Sequence, residues 1–317
     1  AAEVTLEVPT GLACWRGHFP GQPMLPGVLQ VEWTLSEIER WWGARPQLSG
    51  LEALKFKRPV LPGDSLQLEL VALGSAGSRA AGVALAGDEP TEEVEFCFRR
   101  GGQEISRGRV HCSRRATGGP RELGDPIRTD ASTPRAGEQP PQRRLEAWPD
   151  PGLVLTHAAP MLWLGRIEAH DAKETHCLVD VSDLGSFLDP DGRCGAQVAL
   201  EWMAQCVAAH AGLERRARGK APSLGLLLGS KRVRFARPDY DRGDRFRVVA
   251  VRGWGGEQGA VSFDCRVETI DSGERVADAR LACFVPGAES GDSISRVPLE
   301  SEEASLEQSL EAGGRIR

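Results

Sequence analysis

Residues 54–70 read LKFKRPVLPGDSLQLEL, and residues 232–251 read RVRFARPDYDRGDRFRVVAV. Phe56, Arg58, Pro59, Gly63 and Asp64 of the first correspond to Phe235, Arg237, Pro238, Gly243 and Asp244 of the second, with one residue inserted. In both, Pro fixes φ and Gly accepts positive φ, which suits a tight turn leading into a strand of alternating polarity. One such segment would be an ordinary turn. Two, each following a long apolar helix, point to an internal duplication.

The helices lie upstream of the repeated turns. The first is expected from about Gly27 to Trp42, where Val28, Val31, Leu35, Ile38 and Trp42 recur at three- and four-residue steps and make one apolar stripe. The second is expected from about Ala196 to Arg216. Its first four turns are apolar nearly all round, so other structure must enclose it. LQLELVAL, EEVEFCFRR and ISRGRVHC after the first helix read as strands, as do FRVVAVRGW, AVSFDCRVET and RVADARLACFV after the second. The expected fold is α+β: a double hot-dog, with two antiparallel sheets each wrapping a long central helix, arranged as an intramolecular pseudodimer.

At 317 residues the chain suits two domains. Residues 1–112 are expected to form the first and 151–286 the second. Between them, residues 113–150 are rich in Pro, Gly, Arg and acids and read as a linker. Residues 287–317 are acidic and Ser-rich and read as a disordered tail, with VPLESEEASLEQSLEA a candidate short helix. No run approaches the ~20 apolar residues of a membrane span. The opening residues, AAEVTLEVPTG, have no basic stretch before an apolar block, so no signal peptide is expected. The net charge of −6 argues against a general nucleic-acid binder. Eight cysteines without a CxxC pair suggest incidental thiols. The expectation is a cytoplasmic protein.

The segment with most chemistry is Gly17–Glu32, GHFPGQPMLPGVLQVE. His18 precedes a loop stiffened by Pro20, Pro23 and Pro26. At Gly27, where the helix begins, free N–H groups and the positive end of the helix dipole could hold a developing oxyanion. Glu32 lies one turn past Val28, where partial burial would raise its carboxyl pKa. Such a set suits proton abstraction next to a carbonyl with loss of a hydroxyl.

HFPxxPxxPGVLxxE resembles the signature of the β-hydroxyacyl-ACP dehydratases, hot-dog proteins of fatty-acid synthesis, and FKRPVLPGDSL resembles their strand–turn segment. The resemblance implies that His18 is the base at C2 of a 3-hydroxyacyl thioester, that Gly27 and Val28 bind substrate, and that Glu32 handles the leaving hydroxyl. In the second half, THAAPMLWLGRI and ALEWMAQ resemble the same superfamily more loosely, with Glu201 in the acid position. The whole resembles a fusion of the paired dehydratases of aryl-polyene pathways.

The second half departs from the pattern. The first half spaces histidine and glutamate by fourteen positions; the same interval before Glu201 ends on Phe187, and FLDPDGRCGAQV holds no histidine. Family sites form across a dimer interface. A pseudodimer therefore implies one composite site, with His18 as base, the Gly27 N–H as oxyanion donor and Glu201 as acid, while Glu32 faces Phe187 in a dead half-site. The resemblance further implies an acyl carrier protein with phosphopantetheine-linked substrate as partner, and no cofactor beyond that arm. Lys57, Arg58, Arg234 and Arg237 are candidates for the carrier landing patch, against the plainer reading of a solvated face. Further oligomerisation of the pair is possible. The alternatives are a hot-dog thioesterase or a non-catalytic partner of a dehydratase or synthase complex.

Some residues invite plainer readings. A lone histidine beside prolines is more often structural than catalytic, and Glu32 could be a helix-surface acid with Glu37 and Glu39. Gln205, one turn past Glu201, could be only its hydrogen-bond partner. His210 reads as packed. His157, His170 and His176 lack metal-ligand spacing and are assigned no chemistry. Cys97, His111 and Cys112 are too irregular for zinc, so no metal is expected.

Overall fold

A computed structural model of the chain describes residues 1–75, 91–114, 148–255 and 259–285. Nearly all of the 113–150 linker and the whole 287–317 tail lie outside the described residues.

The first half runs β1 (Ala2–Glu7), α1 (Gly27–Trp42), β2 (Pro46–Phe56), β3 (Ser65–Ser75), β4 (Glu92–Arg100) and β5 (Gln103–Arg114). Gly43, at φ 69°, ends α1 in the left-handed conformation, its N–H bonded to the Glu39 carbonyl. The second half runs β6 (Arg166–His170), β7 (Glu174–Asp180), β8 (Arg193–Gly195), α2 (Val198–Ala217), β9 (Leu226–Phe235), β10 (Asp239–Asp241), β11 (Arg245–Gly255), β12 (Gly259–Thr269) and β13 (Arg275–Val285).

Alternation decides which faces are buried. Leu66, Leu68 and Leu70 of β3 and Val94, Phe96 and Phe98 of β4 point inward. The near-uniform apolar surface of α2 is enclosed as its composition demands: Leu200, Trp202, Met203, Cys206 and Ala209 are all fully or almost fully buried. Trp202 packs against Tyr240 and Phe246, with ring centroids 5.3 and 5.7 Å away.

The duplicated turns use one device twice. Gly63 and Gly243 adopt φ of 83° and 95°. Asp64 accepts the Leu61 N–H at 2.8 Å, and Asp244 accepts the Asp241 N–H at 3.1 Å. Asp64 is also held by Arg100.

Two separate sheets were expected, and here the structure differs. Among the described residues, eleven strands form one sheet in the order β1-β3-β4-β5-β2-β9-β13-β12-β11-β7-β6, and β8 pairs with β10 apart from it. The join is β2 against β9, antiparallel, with Leu51 opposite Val233 and Leu54 opposite Ser230. The physical reason is that each half would otherwise end on an unpaired edge, and pairing the two edges satisfies both rows of backbone groups. Glu52 and Arg232 reinforce the join with two hydrogen bonds, at 2.8 and 3.0 Å. A Cβ on Gly229, whose φ is 152°, would overlap the Leu54 carbonyl oxygen across this seam. No helix among the described residues is long and apolar enough to cross a membrane.

Candidate active site

Three elements converge beneath the seam. The loop before α1 carries His18, the loop before β6 carries His157, and the first turn of α2 carries Glu201. The two loops lie against each other through the Ala158 N–H, which donates to the Gly17 carbonyl at 3.0 Å. Position 17 must be glycine for this approach, because a Cβ there would overlap the Ala158 carbonyl oxygen. The His18–Phe19 and Ala159–Pro160 peptide bonds are both cis.

His18 Nδ1 lies 2.9 Å from the Met24 carbonyl oxygen. A carbonyl only accepts, so Nδ1 carries the hydrogen and Nε2 keeps its lone pair for a substrate proton. The ring is only 8% exposed. Burial is the main influence on it and lowers its pKa to about 4; Glu201 works upward and His157 downward. His18 is thus an uncharged base at neutral pH.

Glu201, 5% exposed, is held by Gln205, whose Nε2 donates to Oε1 at 2.9 Å, and its Oε1 lies 3.4 Å from His157 Nε2. Burial pushes this carboxyl up, but the hydrogen bonds from His157 and Gln205 and the two nearby imidazoles outweigh it. They hold Glu201 well below the ordinary carboxylate range. Gln205 does more than support Glu201. It also donates to the Met161 carbonyl at 2.6 Å and accepts the Trp163 N–H at 3.0 Å, fastening the His157 loop to α2.

The ligand atoms of His18, His157 and Glu201 all lie within 4.8 Å of one another. All three line a cavity of about 130 Å³ that continues along α2 past Ala204, Ala208 and Ala211 toward Leu226 and Val285. Its lining is mostly apolar, with His18, His157 and Glu201 grouped together and Gln30, Arg58 and Ser223 as its other polar side chains, a make-up that suits an aliphatic chain with a polar head.

The remaining expected residues are placed unevenly. Gly27 lines the cavity at the first position of α1, and a Cβ there would strike the Phe56 ring. Val28 is buried in the core and is not among the cavity-lining residues. Glu32 lies in a separate pocket with Arg45, Gln197 and Pro238, where Gln197 donates to it. Burial raises its pKa, against the lowering pull of Arg45. Phe187 is not beside it: that ring packs on Trp163 at 5.0 Å, because the segment preceding α2 takes a different course from the loop preceding α1. Arg58 lines the cavity; Lys57 is paired with Glu104, Arg234 with Asp278 through two nitrogens, and Arg237 with Asp244 and Glu274. The patch is therefore largely committed to intramolecular pairs. His157 is the residue that sequence reasoning missed. Its signal lay in the resemblance of THAAPMLWL to the family's first extended segment, which aligns that histidine but says nothing of what it meets. His210, fully buried, bonds Thr175 at 2.9 Å, away from this cavity.

A family model described as ApeI-like, ApeI dehydratase, matches residues 1–81, and one described as ApeP-like, ApeP dehydratase, matches residues 149–294. The chain belongs to the hot-dog dehydratases. Within them it is a fusion, its first part ApeI-like and its second ApeP-like. The 3-hydroxyacyl-[acyl-carrier-protein] dehydratase FabZ of Symbiobacterium thermophilum is 38% identical over 94 residues, covering 26% of this chain and 66% of that protein. The chain thus spans just under two thirds of that relative's length. Among solved structures, the dehydratase domain of the polyketide PpsC from Mycobacterium tuberculosis aligns with TM-score 0.53 at 14% identity, over 90% of this chain and 93% of that one. A putative thioesterase from Novosphingobium aromaticivorans aligns with TM-score 0.52 at 15% identity, over 90% and 96%. At these identities the two structures show the fold alone.

Proposed function

We propose that the chain is a 3-hydroxyacyl thioester dehydratase, built as an intramolecular pseudodimer with one composite site of His18, Gly27 and Glu201. The observation that carries the reading is the meeting of His18 from the ApeI-like part with Glu201 from the ApeP-like part in one mostly apolar cavity. His18 Nε2 takes the C2 proton. The Gly27 N–H, unpaired within its helix as every first-turn N–H is, receives the charge growing on the thioester oxygen. Glu201 attends the C3 hydroxyl as it departs with a proton as water, leaving the trans-2-enoyl thioester. An acyl carrier protein is the expected donor of substrate, and Arg58, which lines the cavity, is a cation placed to meet its phosphate. Fatty-acid or polyene synthesis is the setting in keeping with the relatives.

The test is incubation with a 3-hydroxyacyl carrier thioester, followed by mass spectrometry. Loss of one water supports the reading. Release of free thiol would replace it with thioester hydrolysis, and an unchanged mass would leave a non-catalytic partner.

The pH profile provides a second check. An ordinary imidazole, near 6.5, would lose its basicity just below neutrality, whereas His18 is lowered to about 4 by burial, with Glu201 and His157 the titratable groups facing it. The folded protein resists protonating His18 in that window while the unfolded chain accepts the proton, so this group makes stability fall as pH drops from about 6.5 toward 4. The kcat/KM of the folded enzyme should hold below pH 6.5 and decline only as pH approaches about 4. An acid limb between 6 and 7 would count against His18 as the buried base.

A further inference from the structure

His157 is a buried ring whose place in the site has no structural explanation. It is 8% exposed, and Nδ1 has no hydrogen-bond partner among the described residues. A buried polar atom without a partner asks for a reason, and here it lies in the cavity beside the proposed pair. Among the described residues, the one charged or polar side chain its Nε2 engages is Glu201, at 3.4 Å. Phe19 packs edge-on against the ring at 4.6 Å, and the His18 ring centroid is 5.4 Å away, so the imidazole is walled in beside both members of the proposed pair.

Elimination sets a requirement that His18 and Glu201 alone do not meet. One proton leaves C2 for His18, and another must be ready to leave with the hydroxyl. The contacts around Glu201 favour its ionised form, and a carboxylate has no proton to give. We propose that His157 and Glu201 hold one proton between them across their 3.4 Å contact, so that His157 supplies, through Glu201, the proton with which the C3 hydroxyl departs as water. The inference rests on the dehydratase reading above and deepens it.

The step balances. His18 Nε2 gains the C2 proton, and the C2–H electron pair forms the C2–C3 double bond. The C3–O bond breaks with its pair on oxygen, and that oxygen takes the proton from Glu201. His157, which enters the step as an imidazolium paired with the Glu201 carboxylate, passes its Nε2 proton to that carboxylate, leaving His157 neutral with its hydrogen on Nδ1, Glu201 ionised and His18 protonated. Once water and enoyl product leave, the His18 proton returns to the His157–Glu201 pair across the emptied site. No oxidant, reductant or co-reactant is needed. His157 is thus a positioning residue that acts through the proton on Glu201.

The full-length chain, given a 3-hydroxyacyl pantetheine thioester, tests this through His157→Ala, His157→Gln, Glu201→Gln and the double variant His157→Ala/Glu201→Gln. The expected result is a fall in kcat of about 10²-fold or more for both His157 variants, with KM little changed, in the range of lost acid–base catalysis. Imidazole in the buffer should restore part of the His157→Ala rate, and the double variant should be no slower than Glu201→Gln, because the two residues act as one unit. Glutamine keeps bulk and an N–H for Glu201 but cannot store a proton. Wild-type activity in His157→Gln would therefore reduce His157 to a hydrogen-bond donor and overturn the proposal. So would losses that add in the double variant without imidazole rescue. Wild-type protein run alongside separates the two levels: no enoyl product from it rejects the dehydratase reading, whereas wild-type turnover with unimpaired His157 variants rejects this inference alone.

Discussion

Glu201→Gln is expected to lower kcat by about three orders of magnitude, within the span of removed acid–base groups, while leaving the protein folded. Glutamine is nearly isosteric. It keeps an oxygen for the Gln205 donor, so the fastening of the His157 loop by Gln205 through Met161 and Trp163 survives. What is lost is the ability to accept and release a proton. The parallel variant Glu32→Gln should retain most activity, because Glu32 lies in another pocket against Gln197 and Arg45. Steady-state kinetics on both, with circular dichroism to establish folding, makes the comparison. If the two exchange places, with Glu32→Gln dead and Glu201→Gln active, the composite site is wrong and the ApeI-like part works alone.

That contrast marks how much of the site could be read from sequence. His18, Gly27 and the bounds of α1 were legible because they are local: prolines stiffen one loop, and apolar residues at helical steps define one helix. The repeated turn was legible for the same reason, since Gly63 and Gly243 meet the same conformational need. The course of the chain before α2 was not. Counting back from Glu201 assumes that the two halves approach their helices alike, yet a 3₁₀ stretch over Val181–Phe187 and the short strand β8 replace the histidine loop. Phe187 consequently packs on Trp163, and Gln197 is the residue beside Glu32. His157 was out of reach for a related reason. Its contact with Glu201 depends on Gly17 admitting the Ala158 backbone and on Gln205 gripping Met161, and no spacing encodes either approach. The single eleven-stranded sheet of the described residues was likewise unforeseen, because edge pairing leaves little signature in either strand taken singly.

Gly229→Val should be the most damaging change outside the cavity. Two faults coincide at that position. The φ of 152° lies where a β-branched residue is strained, and the added Cβ would overlap the Leu54 carbonyl oxygen in the facing strand. Backbone cannot yield as a flexible side chain would, so β2 and β9 must part locally, losing ladder bonds around Leu54–Ser230 and Lys55–Gly229. A cost of about 3–5 kcal/mol is expected, in the class of substitutions that break a special backbone position. The consequence for chemistry is separate from that for stability. His18 and Glu201 belong to opposite sides of this seam, and a displacement of about 1 Å between reacting groups can slow a reaction about 10²-fold. Chemical denaturation should therefore show a large loss, and the fraction still folded should turn over far more slowly than wild type. Gly219→Val, at φ 68° just beyond α2 and with open space around its Cβ position, is the control: it carries backbone strain but touches no seam, so it should cost about 1 kcal/mol and leave kcat unchanged. Equal behaviour of the two variants would mean that the seam does not set the distance between base and acid, and that the tie from Ala158 to Gly17 holds the site together by itself.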